Sequence, residues 1–268
     1  MGKTIIITSG PTNERIDAVM KITNMSTGAL GCRVAQKLLE NPDVDKIYYI
    51  SPKLAYKPDY PFDDGRLHLI QVESTDDLLN TLGVLLRNPG EHIDAVVHSA
   101  AVGDYKGRYA IRAEDLITEI LKAQSDTQGL LTREQLTEIF VSPKSLQDDS
   151  TKISSYEPNL MVMLDLTPKV IGSIKQAAPN TMLIGFKLLE GITNQELFDV
   201  ASRLRRKNDA DYIIANDLAR IGGGKHWAMI VGQDKADPEK DAVVCECQDK
   251  NEIADVIQNL IFGREAKS

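Results

Sequence analysis

Four short segments of the chain carry residue types suited to polar chemistry: 9–15, 22–31, 99–105 and 215–217, each following or closing an apolar run. In the second of these, Ser26-Thr27-Gly28-Ala29-Leu30-Gly31 opens a stretch with apolar residues at helical spacing. Backbone N–H groups at the start of a helix, together with the positive end of its dipole, suit a phosphate. A plainer reading of the same residues is that Ser26 or Thr27 caps the helix and Gly31 permits close packing of helix on sheet. Taken alone, the six residues do not decide between the two.

The elements that must position these segments follow from hydrophobic patterning. Residues 3–8 are a β-branched apolar run closed by Ser9-Gly10-Pro11, as expected of a buried parallel strand. Leu30, Val34, Ala35, Leu38 and Leu39 mark a helix that ends at Asn41-Pro42. Further strands are expected at 46–50, 67–72, 95–98, 161–164, 182–186 and 211–215, with helices at 75–86, 168–178 and 194–207. A late hairpin, 227–231 with 242–247, and an amphipathic helix over 250–262 complete the pattern. The expected fold is therefore α/β: a Rossmann-like three-layer arrangement with a mostly parallel sheet, a late β-hairpin and a polar flap. The alternation predicts one domain over 1–268, interrupted at about 106–158, where Lys, Asp, Ser and Gln surround short helices at 113–123 and 133–140. Ligands of such sheets lie beyond the carboxyl ends of the strands, where all four polar segments fall.

Composition narrows the function classes. Lys and Arg total 31 against 39 Asp and Glu, a net charge of −8, so an anionic ligand must be met by local positive groups. Binding to nucleic acid or to an anionic membrane surface is not expected, and no apolar run approaches the roughly 20 residues needed to cross a bilayer. Cys32, Cys245 and Cys247 form no CxxC pair, which reads as reduced thiols in a cytoplasmic protein. His68, His92, His98 and His226 show no metal-ligand spacing. A dinucleotide oxidoreductase is the natural rival, but about twenty residues separate Ile7 from Gly28, and the second strand ends in Ile50-Ser51-Pro52 instead of a ribose-binding acid.

In combination the segments carry a more specific signal. Ile7-Thr8-Ser9-Gly10-Pro11-Thr12, Glu14, Ile16-Asp17 and Ile22-Thr23-Asn24-Met25-Ser26-Thr27-Gly28 resemble the amino-terminal signature of the phosphopantothenoylcysteine synthetases (phosphopantothenate-cysteine ligases). Ala100-Ala101-Val102-Gly103-Asp104-Tyr105, Lys152-Ile153 and Ile213-Ile214-Ala215-Asn216-Asp217 resemble three later motifs of that family, in family order, so that the similarity spans about residues 3–232.

The resemblance implies a ligase in coenzyme A biosynthesis. A nucleoside triphosphate activates the carboxylate of 4'-phosphopantothenate as an acyl nucleotide, and the amine of cysteine then displaces the nucleotide. It implies Asn24 and Lys152 as catalytic residues, the first at the acyl nucleotide and the second on a flap over the triphosphate. Ser9, Gly10, Ser26, Thr27, Gly28, Ala101, Asp104, Tyr105, Phe186 and Lys187 are implied for the nucleotide. Lys21, Asn24, Ala100 and Asn216 are implied for the substrate, and Asp104 for Mg²⁺. CTP is the expected cosubstrate, with ATP the alternative, and the protein is expected to be a homodimer without a decarboxylase half on the same chain. The chain also departs from the bacterial bifunctional pattern. Met20 stands where an arginine is usual, beside Lys21, and Ser154-Ser155 replace the lysines that commonly follow the flap motif. Thr167-Pro168-Lys169 and Gly185-Phe186-Lys187-Leu188 look more like the eukaryotic branch. A non-catalytic nucleotide-binding module is the third class consistent with these residues.

Overall fold

Five consecutive β-branched residues, Thr4 to Thr8, make a strand buried on both faces. The computed structural model describes residues 2–60 and 64–263. Its elements in chain order are β1 (Lys3–Thr8), β2 (Asn13–Arg15), β3 (Lys21–Thr23), α1 (Ala29–Leu39), β4 (Val44–Ser51), β5 (Leu67–Gln71), α2 (Thr75–Leu86), β6 (Ala95–His98), β7 (Tyr105–Arg112), α3 (Ala113–Thr127), α4 (Arg133–Val141), β8 (Leu160–Leu166), α5 (Val170–Ala177), β9 (Met182–Leu189), α6 (Asn194–Lys207), β10 (Tyr212–Gly222), β11 (Lys225–Gln233), β12 (Asp241–Cys247) and α7 (Lys250–Ile261). They group into two units, Met1–Thr12 with Asn24–Val102 and Lys169–Ser268, and Asn13–Thr23 with Gly103–Pro168.

The first unit is built on an eight-stranded sheet in the order β12-β11-β10-β9-β6-β1-β4-β5. β5, β4, β1, β6, β9 and β10 run parallel, and β11 and β12 extend the β10 edge antiparallel. Side-chain alternation along β1 assigns the helices to layers. Ile5 and Ile7 pack with Val34, Ala35 and Leu38 of α1 and with Ile253, Ala254 and Ile257 of α7. Ile6 faces the other way, with Leu78 and Leu82 of α2, Val170 and Ile174 of α5, and Leu197 and Ala201 of α6. A strand with wholly apolar residues on both faces has nowhere else to be stable. The parallel strands, taken in chain order, lie 3-2-1-4-5-6, so the direction of winding reverses between β1 and β6. This is the Rossmann-like, three-layer fold with a late hairpin that the pattern predicts.

The second unit contains two small antiparallel ladders. β2 pairs with β3, placing Arg15 opposite Lys21, and β7 pairs with β8 from Tyr105 opposite Leu166 to Arg112 opposite Leu160. Tyr109, Ile111 and Leu116 form its buried centre, with Ile120, Ile139 and Met163 against them, and the Tyr109 hydroxyl donates to the carbonyl of Phe140. Here the structure corrects the sequence expectation for 161–164. That run lies in β8 and pairs with β7 outside the parallel sheet. Its apolar residues resemble a buried strand, yet Met161, Leu164 and Leu166 are exposed. The polar stretch expected at 106–158 falls inside this unit, whose bounds also take in the β2–β3 hairpin and β8. The three cysteines are free thiols, and no described helix is long and apolar enough to cross a membrane.

Candidate active site

In the first unit, residues 9–12, 24–31 and 99–102 come together beyond the carboxyl ends of β1 and β6, while 215–217 lie on β10, beyond β9. Backbone bonds run Ser99 N to Thr8 O (3.1 Å), Ala101 N to Gly10 O (2.9 Å) and Thr12 N to Ala101 O (3.2 Å), which continue the parallel pairing into the loops. The Ser99 hydroxyl donates to Thr8 O at 2.7 Å. Thr8 Oγ1 accepts from Ala100 N at 3.2 Å and lies 2.8 Å from Nδ1 of His98. Burial pushes the pKa of His98 down to about 4, which keeps this imidazole neutral at pH 7. The amides of Ala100 and Ala101, the two positions expected at the ligand, thus have protein partners, and any ligand role falls to their remaining atoms.

The start of α1 is shaped by close approach. Gly28, at φ 77°, precedes the first helical residue, and no side chain caps the helix. The Ser9 hydroxyl donates to Gly28 O at 3.0 Å. A Cβ on Gly31 would lie 2.5 Å from the hydroxyl oxygens of both Ser9 and Ser99. Close packing of this helix on the strand ends is therefore observed, while capping by Ser26 or Thr27 is not. Ser26 instead accepts from Gly28 N at 3.4 Å, before the helix begins. The first-turn amides of α1 point away from the helix body, as at any helix start.

Asn24 joins the two loop systems. Its exposed side chain donates through Nδ2 to Ala101 O (3.0 Å) and Val102 O (3.3 Å). The amide is thereby oriented by the loop after β6. Phe186 packs against the α1 and α7 side of the core, and half-buried Lys187 follows it at the end of β9, opposite Ala215. Asn216 is buried, with its amide donating to Trp227 O at 3.3 Å. Asp217 accepts from Gly191 N (2.9 Å) and Ala219 N (3.0 Å), so its carboxylate organises turns.

Four predicted residues belong to the second unit. Lys21 is exposed on β3, Tyr105 is exposed at the start of β7, and Lys152 is exposed in the segment before β8. Asp104 is also exposed, while its backbone carbonyl accepts from Thr167 N at 3.0 Å. An exposed carboxylate is a hard oxygen donor of the kind Mg²⁺ takes beside phosphates, where one or two carboxylates suffice. Among the described residues no group of three or more His, Cys, Asp or Glu is placed to hold a metal ion by itself.

Two contributors were not singled out from the sequence. Arg15 lies directly across from Lys21, and like charges in register repel unless an anion is shared between them. Lys57 donates to Pro52 O (2.6 Å) and Ala55 O (3.1 Å), fixing the loop that backs residues 27 and 28 through the Tyr56 N to Thr27 O bond (3.0 Å). Arg15 was visible as a basic residue beside the motif. Lys57 had no local signal, since what it holds is backbone.

Similarity to known proteins covers nearly the whole chain. The family model for the DNA/pantothenate metabolism flavoprotein C-terminal domain matches residues 1–127. The coenzyme A biosynthesis bifunctional protein CoaBC of Thermococcus kodakarensis is 26% identical over 236 residues, 88% of this chain. The chain spans about half of that relative's length, 46%. The crystal structure of the DNA/pantothenate metabolism flavoprotein from Streptococcus pneumoniae is 32% identical and superposes with a TM-score of 0.75, covering 98% of this chain and 99% of that one. A Cab2 mutant in complex with phosphopantothenate-cysteine, 15% identical, shares the fold with a TM-score of 0.59 over 97% of this chain and 88% of its own.

Proposed function

Since the chain belongs to the DNA/pantothenate metabolism flavoprotein C-terminal domain family, we propose that it joins 4'-phosphopantothenate to cysteine, using a nucleoside triphosphate, in coenzyme A biosynthesis. The observation that carries this reading is the amide of Asn24, held by Ala101 O and Val102 O at the strand ends where the sheet's winding reverses. Bound groups of such sheets collect at that point.

In the proposed reaction a carboxylate oxygen of phosphopantothenate attacks the α-phosphate. The bond to the β-phosphate breaks, and pyrophosphate leaves. The amine of cysteine then attacks the acyl carbon, the nucleoside monophosphate leaves with the bonding electrons, and the amine proton is released. Developing charge in both steps sits on oxygen, so oriented N–H groups and lysines stabilise it. The loops at Ser9, Gly10 and 26–28, with the amides that start α1, would bind nucleotide phosphates. Ala101, Phe186 and Lys187 would complete the nucleotide contacts, and Ala100 and Asn216 the substrate contacts. Asn24 would orient the acyl group, its amide held by the loop after β6. Lys152 would meet the triphosphate, with Tyr105 contributing to the nucleotide side, and Lys21 with Arg15 would hold the substrate phosphate. That arrangement gives the Arg15 and Lys21 pair the anion its register asks for. Asp104 would hold Mg²⁺, which when bound neutralises phosphate charge.

We take CTP as the cosubstrate, ATP as the alternative, and a cytoplasmic homodimer as the working form. The test is pyrophosphate release and appearance of phosphopantothenoylcysteine from the purified chain with phosphopantothenate, cysteine, Mg²⁺ and CTP or ATP in turn. Product with at least one nucleotide is expected. Oxidation of NAD(P)H on a carbonyl substrate with no pyrophosphate would establish the oxidoreductase instead.

A further inference from the structure

The second unit contains a carboxylate that the reaction above leaves without a task. Asp17, only 2% exposed, sits in the turn between β2 and β3. Its Oδ1 accepts from Val19 N at 2.7 Å and Met20 N at 2.6 Å, which closes the turn. Its Oδ2 accepts from Ile153 N at 2.9 Å, a residue 136 positions away. On the other flank, Ala18 N donates to Thr151 O at 3.4 Å. The backbone is therefore gripped on both sides of Lys152, and the Ile153 side chain is buried while that of Lys152 is exposed. A local turn explains the first two bonds. It does not explain the third, which uses the second carboxylate oxygen to capture a distant segment.

We propose that Asp17 is a positioning residue for Lys152: by holding the backbone at Ile153, beside the Thr151 carbonyl bonded to Ala18, it presents the lysine ammonium at a fixed place for nucleotidyl transfer. The proposal rests on the functional reading above, in which Lys152 meets the triphosphate. The physical need is plain, because a lysine is a point charge on a flexible four-carbon stem and has no planar fork to define its approach. If its backbone also moved, the ammonium would sample a wide volume. A displacement near 1 Å of a reacting group can cost about 100-fold in rate. Asp17 meets the requirements of an anchor. The N–H donors around it, that of Met20 above all, hold its carboxyl below the usual range, so it stays ionised and accepting through the neutral pH range.

The experiment combines kinetics with amide exchange on the full chain. Asp17→Asn keeps one acceptor but turns an NH₂ toward the Ile153 N–H, donor against donor. We expect it to lower kcat for pyrophosphate release about 100-fold while leaving KM for cysteine unchanged. In the double variant with Lys152→Gln, the second change should add less than about threefold, since residues that act as one unit are not additive. Losses that multiply in the double variant would overturn the proposal. Hydrogen exchange tests the anchor without activity: the Ile153 amide should exchange far more slowly than an open chain in the unmodified protein and at least about tenfold faster in Asp17→Asn. An Ile153 amide that exchanges at the open-chain rate in the unmodified protein overturns it even if the variant does not fold. Normal turnover by Lys152→Gln overturns the proposal and leaves the ligase reading standing, whereas no pyrophosphate from the unmodified chain overturns both.

Discussion

The hydroxyl of Ser9 donates to the carbonyl of Gly28 at 3.0 Å, tying the end of β1 to the residue that starts α1 across a 19-residue separation. The same Ser9 side chain lies where a Cβ on Gly31 would have to be. One small side chain thus sets how closely the helix start can approach the strand ends.

Gly31→Ala should therefore destabilise the protein by about 1–3 kcal/mol, the usual cost of forcing an extra carbon into a filled space. At this chain length that corresponds to a fall of about 2–10 °C in Tm. Thermal unfolding by calorimetry checks it. The double variant Ser9→Gly/Gly31→Ala should recover part of the loss, because one of the two clashing hydroxyls is gone.

Asn24→Asp removes both donors from Ala101 O and Val102 O and turns a carboxylate toward two carbonyl oxygens. The side chain is exposed, so Tm should change little. Ligation should fall by about 100-fold or more, the scale for losing one oriented group at developing charge. Product formation and a circular dichroism melt, measured on the same preparation, separate the two effects.

The α1 helix and the main sheet were legible because their signals are local and strong. Leu30, Val34, Ala35, Leu38 and Leu39 repeat at helical spacing, and Ile5 to Ile7 of β1 and Ala95 to Val97 of β6 are apolar and buried on both faces. The second unit was not. β2 and β3 are three residues each and polar, and β7 reads Tyr-Lys-Gly-Arg-Tyr-Ala-Ile-Arg, with its apolar residues at one end only. Its partner β8 lies about fifty residues downstream, a pairing no short window can display. In the candidate site, Ser9, Gly28 and Asn24 lie beyond the carboxyl ends of β1 and β6, where the sequence pattern put their segments. The use of Asp17 could not be read, since Ile153 contributes a backbone N–H that every residue except proline has.

Acid should weaken the protein in a defined window. His98 titrates near 6.5 in an unfolded chain and at about 4 when buried in the fold. Between these values the unfolded chain takes up a proton that the folded chain refuses, so this contribution is intact above pH 6.5 and is lost as the pH falls toward 4. Going from pH 7 to pH 5 should cost about 2 kcal/mol from this residue. Urea unfolding at the two pH values, on the natural chain and on His98→Gln, measures it. His226, also pushed down to about 4 by burial, keeps part of the slope in the variant.

Divalent-ion removal should separate folding from chemistry. Among the described residues no cluster could hold a metal ion alone, so EDTA should leave the Tm of the nucleotide-free chain unchanged. The same treatment should stop pyrophosphate release in the presence of CTP or ATP, and excess Mg²⁺ should restore it. A large drop in Tm on chelation would reveal a structural ion instead.

The second unit is encoded in two pieces, and this gives its assembly a timetable. The β2–β3 hairpin is complete at Thr23, whereas β7, whose Gly107 fits against the backbone of Arg15 so closely that a Cβ there would lie 2.8 Å from the Arg15 carbonyl oxygen, begins at Tyr105. At roughly 5–20 residues per second on the ribosome, the hairpin is made about 4–16 s before the strand it packs on. During that interval Arg15 and Lys21 face each other on a two-stranded ribbon of three residues a side, too short to hold together alone. The turn that carries Asp17 therefore waits for β7, and for Ile153 after it, before its contacts can be completed.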